Sequence, residues 1–198
     1  MRQMTWEDFN PYRGINTRQI IVVLIICLFV SIGYEWVQWR WDRRIGRRQR
    51  RGRGFWMGFT YFYVYTIFCA TIIGRIDGRE PEMRTRLFWT LEEALQTGDW
   101  IYWYYIVGNI LMFIPLGFAL MHLLGSRKGR GAKSREIGRF FCTVVLCLLL
   151  SALIEGIQYV TRTGLCEADD LLHNTLGGAL GGIFYFAVGS GRGTRERQ

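Results

Sequence analysis

The chain has 198 residues, half of them hydrophobic, 21% charged and 16% aromatic, with three prolines and a formal net charge of +9. That composition excludes a disordered tail and a collagen-like fibre. Apolar stretches too long for a soluble domain of this size exclude that class as well, so the basic excess belongs to a membrane protein.

A spanning helix needs about 20 mostly apolar residues, because no water is present to satisfy backbone N–H and C=O groups. Five segments reach that length: 18–39, 55–76, 101–124, 137–160 and 171–189. The expected fold is an all-α polytopic transmembrane bundle of about five spans in a cell membrane. The first segment is expected to stay in place, since Tyr34-Glu35-Trp36 and an arginine run follow it where a signal peptide would carry small residues for cleavage. Residues 1–54 therefore form an N-terminal tail, a first span and an arginine-rich loop; 55–189 form the main transmembrane domain; 190–198 form a basic tail.

With five spans, 17 of the 25 basic residues fall on one side: eight in 40–53, six in 125–139 and three after 189. The positive-inside rule then places the N-terminus outside and the C-terminus inside. The arginine run within 40–53 reads as an inner-face loop beside anionic lipid. A nucleic-acid surface would need aromatic residues interleaved on a folded face, so no nucleic-acid partner is expected. On the outer side, Thr90 and Glu93 form a capping-box pattern before Leu91, Ala94 and Leu95, with Gly98 as the stop signal. A short amphipathic helix is expected there between Trp89 and Trp100, as an interfacial anchor or as a lid.

Polar side chains inside spans are costly unless paired or wetted, which makes their placement informative. Glu155, Gln158 and Arg162 are spaced i, i+3 and i+7 and share one helical stripe. Asp170 and Asn174 are spaced i, i+4, with Asp169 and His173 as a second such pair beside them. Asn109 lies about two turns into the third span. Under the outside-first topology Asn109, Glu155, Gln158, Arg162, Asp169, Asp170 and Asn174 all fall in the outer third of the bilayer, with Arg75 and His173 as further contributors. Two readings stand side by side. The groups satisfy one another as interhelical glue, Glu155 with Arg162 and Gln158 with Asn174. Alternatively the set leaves negative charge and forms a pocket for water, a proton, a cation or a ligand.

Gly177 with Gly181 and Gly178 with Gly182 give overlapping GxxxG spacings for close helix approach, and Pro115 is expected to kink the third span below Asn109. Cys27, Cys69, Cys142 and Cys147 sit in apolar runs and Cys166 stands alone, so no disulfide framework is read. One histidine among carboxylates lacks zinc-site spacing, and neither a metal nor a cofactor is expected. An internal echo relates Ser31-x3-Glu35-x2-Gln38 to Ser151-x3-Glu155-x2-Gln158 on spans that run oppositely, as in the inverted repeats of transporters.

Three motifs in order, GNILMFIPLGFAL (108–120), SALIEGIQYVTR (151–162) and EADDLLHNTLGGALGG (167–182), resemble the VanZ-like family, with 65–75 similar to its earlier helix and about 61–185 covered. The resemblance implies a cell-envelope membrane protein linked to resistance to the glycopeptide teicoplanin. The family's recurring polar positions map to Asn109, Glu155, Gln158, Arg162, Asp170 and Asn174. The favoured expectation is an outer-leaflet pocket for a lipid head group or lipid-like ligand. The same residues admit an enzyme acting on envelope lipids, with Glu155 or Asp170 as acid and base, or a proton-coupled transporter.

Overall fold

A computed structural model describes residues 17–44, 53–73, 83–125, 132–162 and 165–190, without the side chains of residues 17–24 and a few others. The run at 45–52, Arg75 and the tail at 191–198 lie outside the described residues. Helix α1 is Thr17–Arg44 and α2 is Arg53–Phe68, extended by a π-helical turn at Cys69–Ile73. The short α3 (Trp89–Thr97) precedes α4 (Trp100–Leu123), α5 (Ala132–Thr161) and α6 (Ala168–Ser190). The architecture is an all-α bundle. Among the described residues, α2 with its π turn, α4, α5 and α6 are long and apolar enough to cross a membrane. The expected segment at 18–39 lies within α1.

Contacts between helices alternate in direction. Gly177 and Gly181 meet the Ile110 and Ile114 carbonyls, so α6 runs parallel to α4. Gly178 meets Cys147, and Gly182 meets Phe140, so α6 is antiparallel to α5. The overlapping GxxxG pairs thus face two neighbours, one pair each. A Cβ at Gly177, Gly178 or Gly181 would strike a backbone carbonyl or the Cys147 Sγ, which is why the seam needs residues without side chains. Beside it, Ile67, Phe113, Leu116, Cys147 and Ile154 form the buried core.

Pro115 lies inside α4, which continues to Leu123. Proline offers no N–H to the Leu111 carbonyl. In the adjoining turn the Tyr63 hydroxyl of α2 donates to the Met112 carbonyl at 3.0 Å, tying the two helices together where the α4 ladder is weakest. Farther along, Trp56 of α2 stacks on His122 of α4 with ring centres 4.0 Å apart, flanked by Phe118 and Tyr185. At the same end, the Glu35 carboxylate of α1 accepts the Gly54 N–H at 2.7 Å, satisfying one of the orphan donors of the first turn of α2. An apolar groove of about 640 Å³ runs between these two helices, lined by residues that include Ile25, Leu28, Phe59 and Phe62.

The opposite end carries α3 and a two-residue parallel pairing of β1 (Met83–Arg84) with β2 (Cys166–Glu167). This pairing joins the segment before α3 to the α5–α6 connection. Asp99 caps α4 there, its carboxylate accepting the Ile101 N–H at 3.0 Å.

Candidate functional site

The polar stripe of α5 packs inward at the α3 end. Ser151, Glu155 and Gln158 are all buried, with Gln158 only 2% exposed. From α6 come Asp169, Asp170, His173 and Asn174, of which Asp170 is half-buried and the others buried. Asn109 on α4 donates to Asp170 through Nδ2 at 2.6 Å. The Asn174 Nδ2 donates to Ser151 Oγ at 2.9 Å. Gln158 Nε2 donates to the Thr71 carbonyl at 2.9 Å, in the π turn at the end of α2. Side chains from α4, α5 and α6 and the backbone end of α2 are therefore joined at one level of the bundle.

Two carboxylates hold the covering segments. Glu155 Oε2 accepts the Glu167 N–H at 2.9 Å, fixing the approach to α6. Asp169 accepts the Phe88 N–H at 2.5 Å and the Thr90 N–H at 2.9 Å, and so caps α3 from another helix. This corrects the capping-box expectation. The helix at 89–97 forms and ends at Gly98, but it starts one residue before Thr90 and has no side-chain cap of its own. Phe88 at its entry has φ 65, and Thr90 is buried inside the first turn, where its hydroxyl does not serve as the cap.

The expected pairings also change. Gln158 bonds Thr71 and Asn174 bonds Ser151, where mutual pairing was expected. Arg162 is exposed at the end of α5 with φ 55, away from the buried level of Glu155. His173 is buried one turn along α6 from Asp169. Among the described residues, the buried Gln158 Oε1 and Asn174 Oδ1 have no hydrogen-bond partner. Among the described residues no group of three or more His, Cys, Asp and Glu side chains is arranged to hold a metal ion. Burial pushes the Cys166 thiol above its ordinary pKa, and the Glu155, Glu167 and Asp170 carboxylates push it further.

Above this level Trp89 and Glu93 are joined by Arg84, Thr85, Arg86 and Glu92, which pattern alone did not mark. Arg84 sits 3.6 Å from the Glu167 carboxylate and 4.8 Å over the Trp89 ring. Arg84, Thr85, Arg86, Trp89, Glu92 and Glu93 line a cavity of about 420 Å³. Their signal was available only in part, because Trp89 and Glu93 flag a helix start whereas a two-residue strand has no periodicity to detect.

Long apolar helices joined at buried polar groups define a helical membrane protein. The motifs find their match in a family model: VanZ/LLP1 covers residues 55–189, more than half of the chain, and the chain belongs to that family. No curated protein and no solved structure matches it.

Proposed function

We propose that this VanZ-family protein is a multi-pass protein of the cell membrane, N-terminus outside and C-terminus inside, whose α3 end faces the exterior. There it binds the head group of a lipid or lipid-like molecule and so alters the response to teicoplanin-type glycopeptides. The observation that carries this reading is the Asn109–Asp170 hydrogen bond at 2.6 Å, at the same level as Glu155, Gln158 and Asn174. Membrane helices gain only about 0.6 to 2 kcal/mol from a polar contact of this kind. A buried set in which, among the described residues, Gln158 Oε1 and Asn174 Oδ1 lack donors is therefore poor glue, which favours a role in holding a ligand.

The test is teicoplanin susceptibility of a sensitive host expressing the full chain or its Asp170→Asn and Glu155→Gln variants, with membrane levels matched. The wild type is expected to raise the inhibitory concentration, and both variants to return it toward the empty host. Variants that protect as well as the wild type, or a wild type that gives no protection, would overturn the reading.

A further inference from the structure

The groove of about 640 Å³ between α1 and α2 is apolar apart from Ser31 and Glu35. It follows α1 from Ile25 to Glu35, ten residues or about 15 Å of helix. Leu28, Ile32 and Phe55 are each more than half exposed along it, so no described element covers them. One end is polar. The half-buried Glu35 is the charged residue of the lining, and its carboxylate accepts the Gly54 N–H. Among the described residues no arginine, lysine or histidine is ion-paired with it. The first turn of α2 offsets only about half a charge, and a carboxylate left without a counter-charge is costly at the edge of hydrocarbon. Glu35, Trp39 and Arg43 are spaced i, i+4 and i+8 and share a stripe, on which the Arg43 guanidinium lies 4.3 Å over the Trp39 ring. Arg40 lies over Trp36 in the same way, at 5.0 Å. Indoles that carry arginines suit head-group depth, which makes the Glu35 end of the groove its interfacial end.

We propose that this groove seats one phospholipid whose head carries a primary ammonium, of the phosphatidylethanolamine type. A hydrocarbon chain lies along Leu28, Ile32, Phe59 and Phe62, the ammonium meets the Glu35 carboxylate, and the phosphate meets Arg43 farther along the same stripe. The order of groups on α1 selects that class: hydrocarbon first, then a negative charge, then a positive one. A head with phosphate alone would leave Glu35 facing a like charge, and a quaternary ammonium has no N–H to donate to the carboxylate. The site lies at the end of the bundle away from α3 and stands independently of the ligand reading made there.

The experiment is native mass spectrometry of the full chain, released from micelles that hold dioleoyl phosphatidylethanolamine, phosphatidylcholine and phosphatidylglycerol in equal amounts. The wild type is expected to retain the ethanolamine lipid about tenfold better than the glycerol lipid, roughly the effect of one charge-assisted hydrogen bond, with the choline lipid between them. Glu35→Gln still offers an oxygen to the Gly54 N–H and should erase that ranking. Arg43→Gln should lower retention of all three lipids and leave the ranking in place. Ile32→Trp, at an exposed position, fills the groove and should cut retention of all three with Glu35 intact. Glu136→Gln, which removes a carboxylate from α5, should change nothing. Equal retention of the three lipids by the wild type, a ranking that survives Glu35→Gln, or a lipid-free dimer that Ile32→Trp breaks would overturn the proposal.

Discussion

Asp169 on α6 accepts the backbone N–H of Thr90 at 2.9 Å across 79 residues of sequence, and so caps a helix to which it does not belong. A second bond to the Phe88 N–H completes the grip. The start of α3 is thereby fixed to the start of a long apolar helix, and the walls of the nearby cavity move with that helix.

Asp169→Ala should therefore loosen α3 before it disturbs the bundle. Loss of a helix cap costs about 1 to 2 kcal/mol. Limited trypsin digestion is expected to cut faster at Arg84 and Arg86 in the variant, with little change in the melting temperature of the whole chain, and Asp169→Asn should fall between. Equal cutting in the wild type and in Asp169→Ala would contradict this role.

The Asn109–Asp170 bond is open to a double-mutant cycle. Asn109→Ala and Asp170→Ala should each lower thermal stability in detergent, and the pair should lower it by less than the sum. The coupling is expected near 0.6 to 1.7 kcal/mol, roughly the span seen for hydrogen bonds between membrane helices. Additive losses would mean that the two side chains act independently.

The glycine seam predicts a sharp contrast between neighbouring positions. Gly177→Ala and Gly181→Ala would each drive a methyl group into an α4 carbonyl and should destabilise by about 1 to 3 kcal/mol. Gly156→Ala, whose added methyl meets nothing within 4 Å, should be neutral or stabilising, because alanine is the better helix former. Melting curves of the three variants decide the matter.

Cys166 supplies a pH readout of the polar level. Burial and then the Glu155, Glu167 and Asp170 carboxylates raise its pKa, so the thiolate is scarcer than in a free thiol at any pH near 8. Maleimide labelling followed by peptide mass spectrometry should give a rate profile displaced to higher pH, and Glu155→Gln should move it partly back. By linkage the thiol's contribution to stability is fully present below the ordinary thiol range and declines as pH rises through the raised value. A profile matching that of a free thiol would show that these carboxylates do not act on Cys166.

The length of the apolar runs located the long helices, four of them apolar enough to span among the described residues, and helical spacing located the stripe that Glu155 and Gln158 share, because a face of a helix repeats in the sequence itself. That spacing also separated Gly177 with Gly181 from Gly178 with Gly182, though not the assignment of one pair to α4 and the other to α5. Hydrogen-bond partners were harder to read. Gln158 bonds a backbone carbonyl in a π turn, Asn174 bonds a serine on the neighbouring helix, and Asp169 caps a loop-borne helix; each partner is set by how one element packs against another, which leaves no periodic trace. The Thr90 and Glu93 spacing suggested a local cap at the place where the chain uses a distant one, since Phe88 in a left-handed conformation turns the backbone N–H groups toward α6.

Glu35 and Gly54 carry a consequence for how the chain can be shortened. Glu35 bonds the backbone one residue before the stretch that the family shares, and Gly54 has no room for a larger residue there because the Glu35 stem and the Ser31 carbonyl fill it. A truncation that begins at residue 53 would uncover that amide and the hydrocarbon faces of Phe59 and Phe62, beside Phe55, which is already exposed. The leading helix thus serves the shared region as a built-in chaperone for its first turn, and a fragment made without it should aggregate unless detergent or another chain takes its seat.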